Sequence, residues 1–133
     1  MPLKVTLKPK ERLFINGAVI VNDEESRINL IVANDVPILR EKDILTEESA
    51  DSPCKRVYLS IQLMYMDKER LADYHKKYWK LVTEVVKAAP STKGIIHKMS
   101  EQILIGEYYK ALKLSHKLVQ YEKELIHAGK KSI

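Results

Sequence analysis

The spacing of apolar residues changes once in this chain, at residues 34–45, and that change constrains the fold more than any other feature. Before this stretch, apolar and polar residues alternate over short runs separated by turn residues, which is typical of β-strands. After it, apolar residues recur every three or four positions, which is typical of amphipathic helices. The pattern predicts one compact α+β protein with a small antiparallel β-sheet over residues 1–46 and a helical region over residues 47–133.

The first region predicts about five short strands. Leu3, Val5 and Leu7 alternate with lysine and threonine, so we expect one face of this strand to be buried and the other to be basic. Asn16-Gly17 separates two apolar runs and predicts a β-hairpin, because both residues tolerate the positive φ angles of a type I′ turn. Residues 27–32 and 36–39 are predicted to form the remaining two strands. A sheet this small buries little, so we expect it to dock on the helices or on a second copy of the chain.

The second region predicts about four helices. Ser52-Pro53 is a helix-start signal, Pro90 ends the second helix, and Ser91 is a candidate N-cap for the third. A tight turn at Gly106 joins the last two helices, and Gly129 is expected to stop the last one at about residue 128. The residues of the last helix expected to face inwards are Tyr108, Leu112, Leu118, Val119, Leu125 and Ile126.

The composition indicates what the protein lacks. Among 133 residues, no apolar run approaches the roughly 18 residues that a membrane span needs, and the start of the chain has no signal-peptide core. The single cysteine and the scattered histidines show no metal-ligand spacing, and no phosphate-binding loop or nucleophile motif is present. We therefore expect a cytoplasmic protein with no enzymatic activity, metal, cofactor or membrane contact.

The positive charge offers two candidate binding surfaces. The net charge of +5 lies in the helical region, where Lys110, Lys113 and Lys117 form a basic stripe on one helix. This stripe is either a contact for a phosphate backbone or the solvated side of an amphipathic helix.

The second surface is a set of bases in or beside the predicted strands. Arg40 ends the last strand, a position that suits a guanidinium for binding phosphate or a guanine edge, or for a surface ion pair with Glu41 and Asp43. The candidate RNA-binding residues of this surface are Arg40, Lys42, Arg12, Lys8 and Lys4.

Several sequence blocks resemble the flagellar biosynthesis repressor (FlbT) family. They are Ile-Asn-Gly-Ala-Val-Ile at 15–20, Asn-Asp-Val-Pro-Ile-Leu-Arg-Glu-Lys-Asp-Ile-Leu at 34–45, and Gly-Glu-Tyr-Tyr-Lys-Ala-Leu at 106–112. The resemblance implies a regulator that binds the 5′ untranslated region of flagellin messenger RNA and alters its translation and stability. It also implies a protein partner, the flagellin-assembly protein of the FlaF type. The alternative is an adaptor or chaperone-like factor that binds flagellin or the FlaF-type protein and affects the message only indirectly.

Residues 3–44 also resemble, more distantly, the carbon storage regulator proteins, which are five-stranded RNA binders that form interlocked dimers. This resemblance implies RNA contacts from Arg40 and, more weakly, from Lys4 and Lys8, and it makes a homodimer a candidate assembly. The departures include Lys10, which stands in place of a glycine, and one extra residue between Arg40 and Ile44.

Overall fold

The computed structural model describes residues 2–131, without the side chains of Lys130 and Lys131. Within these residues, five strands precede four α-helices, so the predicted α+β class is confirmed. The strands are β1 (Leu3–Leu7), β2 (Arg12–Ile15), β3 (Ala18–Val21), β4 (Ile28–Val32) and β5 (Ile38–Arg40). The helices are α1 (Pro53–Met66), α2 (Leu71–Ala88), α3 (Lys93–Leu104) and α4 (Tyr108–Lys131). The chain divides into a unit ending at Ile44, the sheet unit, and a unit beginning at Leu45, the helical unit.

The strands of the sheet unit form two small antiparallel sheets. One contains β1 and β4, with Val5 opposite Leu30. The other has the order β3-β2-β5, so Leu13 of β2 lies opposite Ile20 on one side and Arg40 on the other. The predicted hairpin between β2 and β3 is confirmed, because Asn16 and Gly17 both have positive φ angles, 45° and 92°.

The core of the sheet unit is small. Val5, Leu7 and Leu13 are buried, and the partly buried residues packed against them are Ile15, Ile28, Leu30 and Ile38. In β1, Val5 and Leu7 are buried and Lys4 and Thr6 are exposed, as predicted. Leu3, which the alternation assigns to the buried face, is 50% exposed. A cluster of this size gives limited hydrophobic stabilisation, so polar contacts matter more in this unit.

Asn22 supplies the main polar contacts of the sheet unit. It follows β3 and is only 1% exposed. Its Nδ2 donates to the carbonyl oxygens of Leu7, Lys8 and Ser26 at 2.9–3.1 Å, and its Oδ1 accepts from the amide of Glu24 at 2.9 Å. One side chain therefore joins the end of β1 to the turn between β3 and β4.

In the helical unit, α1 packs on α2 and α4, and α4 also packs on α3. Helices α1 and α4 are antiparallel, because Glu122 binds the first turn of α1 while the rings of Tyr65 and Tyr109 lie 5.6 Å apart at the other end. A hydrogen bond of 2.8 Å between the hydroxyls of Tyr78 and Ser100 joins α2 to α3. None of the helices within residues 2–131 is both long enough and apolar enough to cross a membrane.

The first turn of α1 is capped twice. The predicted N-cap is confirmed, because Ser52 Oγ accepts from the Lys55 amide at 3.2 Å and Pro53 occupies the first helical position. Glu122 adds a second acceptor, with Oε1 bonded to the Ser52 hydroxyl and Oε2 accepting from the Cys54 amide at 3.1 Å. Burial, and then the Glu122 carboxylate, raises the pKa of the Cys54 thiol to about 12.

Two predicted helix ends are wrong. Ser91 does not cap α3, because Pro90 starts a 3₁₀ turn that runs directly into the helix, and the Ser91 hydroxyl instead accepts from Tyr121 at 2.6 Å. Helix α4 continues through Gly129 to Lys131. Glycine permits a left-handed terminating residue but does not impose one.

The predicted inward orientation of Leu125 and Ile126 is also wrong, since they are 40% and 51% exposed. Helix α4 has 24 residues, whereas α1 has 14 and α3 has 12. Because Glu122 already meets the first turn of α1, the residues after it extend past the end of that neighbouring helix.

Candidate nucleic-acid interface

Arg40 ends β5 and is tied to two other parts of the sheet unit. Its Nη1 donates to the Thr6 carbonyl of β1 at 3.0 Å and to Glu11 Oε2 at 3.2 Å. The side chain is 32% exposed, so part of the guanidinium remains accessible. Arg40 forms an ion pair with Glu11. The alternative predicted from the sequence was an ion pair with Glu41 and Asp43, whereas Glu41 lies beside Arg12.

Glu11 lies in the turn between β1 and β2. Its Oε1 accepts from the Lys8 amide at 2.9 Å, and its own amide donates to the Lys8 carbonyl at 3.1 Å. The bond from the Lys8 amide, followed by the charge and hydrogen bond of Arg40, lowers the pKa of Glu11 below its usual value. The carboxylate therefore stays ionised at neutral pH and holds Arg40 beside this turn.

Arg12 and Lys42 are close in sequence to the residues of the ion pair between Arg40 and Glu11. Arg12 starts β2 immediately before Leu13, the residue opposite Arg40, and its Nε is 3.6 Å from Glu41 Oε2. Lys42 is exposed in the 3₁₀ turn Glu41–Asp43 that follows β5. We call Lys8, Arg12, Arg40 and Lys42 the basic edge. Two of these bases lie beside acids, Arg40 beside Glu11 and Arg12 beside Glu41.

The other two bases of the sheet unit lie differently. Lys4 is exposed in β1 opposite Ile31, four residues before Lys8, which corresponds to roughly 13 Å along an extended strand. The Lys10 ammonium is bonded to Asp23 Oδ1 at 2.9 Å. Lys10 also has a φ of 63°, the left-handed conformation that favours glycine.

The second predicted surface, the stripe of Lys110, Lys113 and Lys117, is exposed on α4. Lys113 Nζ lies 5.0 Å from the ring centroid of Tyr109, which is 45% exposed. A cation over an exposed ring occurs both on solvated helix faces and on surfaces that stack bases. The geometry therefore fits both interpretations of the stripe, a solvated face and a nucleic-acid contact. Tyr58 and Tyr78, in contrast, are buried and cannot stack on a base.

Sequence reasoning missed the two polar residues that organise the sheet unit, Glu11 and Asn22. Glu11 lies 29 residues from Arg40 in the chain, and only the β2–β5 register brings the two together. Asn22 begins a polar run that predicts a turn, and no local signal distinguishes a buried turn asparagine from an exposed one.

Comparison with known proteins places the chain among flagellar proteins. Residues 3–126 match the model of the family described as flagellar protein FlbT. The chain is 46% identical to the probable flagellum biosynthesis repressor protein FlbT 1 of Bradyrhizobium diazoefficiens, over 94% of this chain and 85% of that protein. It is 43% identical to the probable repressor FlbT of Rhodopseudomonas palustris, over 95% and 98% of the two chains.

A more distant relative is the flagellum biosynthesis repressor protein FlbT of Caulobacter vibrioides, which is 35% identical over 93% of this chain and 89% of that protein. No solved structure matches the chain.

Proposed function

Because this chain belongs to the FlbT family of flagellar proteins, we propose that it regulates flagellin synthesis by binding the 5′ untranslated region of flagellin messenger RNA. Binding alters the translation and stability of the message, and the protein itself carries out no catalysis. The names of the relatives as repressors of flagellum biosynthesis support the regulatory part of this proposal. Acting on a message, the protein works in the cytoplasm, and the FlaF-type protein and a second copy of the chain are its candidate partners.

The observation that carries RNA binding is the basic edge. Strand ends and turns fix the backbone of Lys8, Arg12, Arg40 and Lys42, so their side chains project from defined points. Arg40 is partly accessible and already oriented by Thr6 and Glu11. A guanidinium held in this way loses less conformational entropy when it binds a phosphate or a base edge.

The direct test is a gel shift of Arg40→Ala with the flagellin leader RNA. We expect affinity to fall about 5- to 150-fold, as for the loss of a good arginine contact worth about 1–3 kcal/mol. Arg27→Ala is the matched control, because Arg27 is exposed outside the strands of the same unit.

Arg40 also binds Thr6 and Glu11, so its loss can disturb the sheet unit. Lys42→Ala avoids this difficulty because Lys42 is exposed outside the strands. We expect this variant to keep the fold and to reduce the slope of log affinity against log salt by about one, the loss of one phosphate contact. Affinity and salt slope that stay at wild-type values in both variants would remove the basic edge from RNA binding.

A further inference from the structure

The helical unit contains a groove between α1 and α2 whose lining includes none of the residues of the basic edge. The groove encloses about 470 Å³ and is lined by residues of both helices and of the connector before α1. This volume lies within the range of roughly 300–1,000 Å³ that is usual for ligand-binding clefts.

The groove is lined by leucines that the core of the helical unit leaves partly exposed. On α1, Val57, Ile61 and Met64 are fully buried in the helical unit. Leu59 and Leu63 lie one helical turn apart on another side of α1, line the groove and are only half-buried. A helix with apolar residues on two sides normally buries both, so the second side of α1 is suited to a further partner.

The length of the groove fits a helix. Its lining on α2 runs from Tyr74 to Glu84, which corresponds to about 15 Å, or nearly three helical turns, at 1.5 Å per residue. Leu81 of α2 lies in the same lining and is also half-buried. An apolar floor of this length suits apolar side chains spaced at i, i+3 and i+7 on a docked helix.

The charges around the groove indicate the chemistry of the partner. Arg56, Lys77 and Lys80 line it, against the acids Glu47 and Glu84. Within the described residues, no ion pair engages Lys77 or Lys80. Two unengaged ammonium groups beside an apolar floor favour an occupant that carries carboxylates as well as apolar side chains. RNA has no apolar stripe to cover the leucines.

We propose that the α1–α2 groove binds an amphipathic helix of a protein partner, with apolar side chains over Leu59, Leu63 and Leu81 and carboxylates against Lys77 and Lys80. This function is separate from RNA binding and uses residues of the helical unit alone. The protein then has two binding surfaces, one for the message and one for a protein.

The test is a leucine-methyl NMR titration of the full chain with a synthetic peptide of about 14 residues, with leucines at i, i+3 and i+7 and flanking glutamates. We expect the methyl signals of Leu59, Leu63 and Leu81 to shift, while those of the buried Leu118 stay in place. A second peptide, with lysine in place of each glutamate, is expected to bind at least about tenfold more weakly. Equal affinity for the two peptides, or no shift of the groove leucines, overturns the proposal.

Two charge-matched variants separate the groove from the overall charge of the protein. Lys77→Glu/Lys80→Glu changes the groove, whereas Lys76→Glu/Lys87→Glu makes the same change of charge at exposed positions of α2 outside the lining. We expect at least about a tenfold loss of peptide affinity in the first variant and less than about twofold in the second. Equal losses would show long-range attraction and contradict a specific site.

The same NMR experiment distinguishes a docked helix from other candidate occupants of the groove. Leader RNA that shifts the groove leucines would show a nucleic-acid site in place of a helix site. Shifts of these leucines that depend on protein concentration, without peptide, would show that a second copy of the chain fills the groove. Shifts confined to Leu125 at the end of α4 would show that the peptide binds elsewhere. Each of these results overturns the proposal.

Discussion

The sheet unit and the helical unit differ in how many apolar residues they bury. The sheet unit buries few apolar residues, and its buried polar residue, Asn22, bonds to groups up to 15 residues away. The helical unit buries apolar residues from all four helices. It also has polar contacts between distant segments, such as Tyr78 with Ser100 and Glu122 with the first turn of α1. Polar contacts between distant segments therefore occur in both units, but the sheet unit has fewer buried apolar residues to stabilise it beside them.

The largest expected effect of a single substitution is therefore in the sheet unit. Asn22→Ala removes the donor to the buried Leu7 carbonyl and to the partly buried carbonyls of Lys8 and Ser26, although the Lys8 carbonyl keeps its bond from the Glu11 amide. We expect a loss of about 3 kcal/mol in the stability of this unit. Amide hydrogen exchange provides the measurement. Protection should fall in β1 and β4 and stay unchanged in α1 and α4.

Asn29→Ala is the matched control. Asn29 is exposed, and its side chain accepts only a surface bond from the Thr6 hydroxyl, so we expect a change below about 0.5 kcal/mol. If Asn22→Ala lowers the protection of the helices as much as that of the strands, the two units unfold together and the comparison fails.

A smaller effect is expected in the helical unit at high pH. Burial raises the pKa of Cys54 and of Tyr78 to about 12, from ordinary values of 9.0 and 10.0. Both groups are neutral in the folded state and ionise first in the unfolded chain. Their contribution to stability is therefore complete below about pH 9 and is lost progressively as the pH rises to 12. The urea midpoint measured by circular dichroism at 222 nm should fall over this range.

The pH slope of that midpoint identifies the groups responsible. The double variant Cys54→Ala/Tyr78→Phe should flatten the slope between pH 9 and 12, because neither new side chain ionises. Tyr109→Phe, at an exposed ring, should leave the slope as it is. An unflattened slope in the double variant would assign the alkaline loss to other groups.

Much of the fold could be predicted from the sequence because local physics determines it. The change of periodicity separated strands from helices, Asn16-Gly17 specified a hairpin turn, and Ser52-Pro53 specified the start of α1. These signals depend on neighbouring residues, so a single sequence contains them in full.

The rest could not be predicted because it depends on which distant segments meet. The periodicity of α4 predicts an inward orientation for Leu125 and Ile126, but both are exposed, because the residues after Glu122 extend past the first turn of α1. The candidate site shows the same limit. Arg40 could be picked out at a strand end, whereas its partner Glu11 follows only from the pairing of β2 with β5.

The smallest expected effect joins the polar contacts of the sheet unit to its proposed function. Glu11→Gln keeps an acceptor for the Lys8 amide but removes the negative charge that pairs with Arg40. The Thr6 carbonyl still orients Arg40 in this variant. We therefore expect leader RNA to bind about threefold more tightly at low salt, because the RNA phosphates no longer compete with the Glu11 carboxylate for Arg40. Glu25→Gln makes the same change of charge at an exposed turn residue, and less than half of that gain is expected there. Weaker binding by Glu11→Gln would show instead that the carboxylate positions Arg40 for RNA, so that the contacts that hold the sheet unit together also form its binding surface.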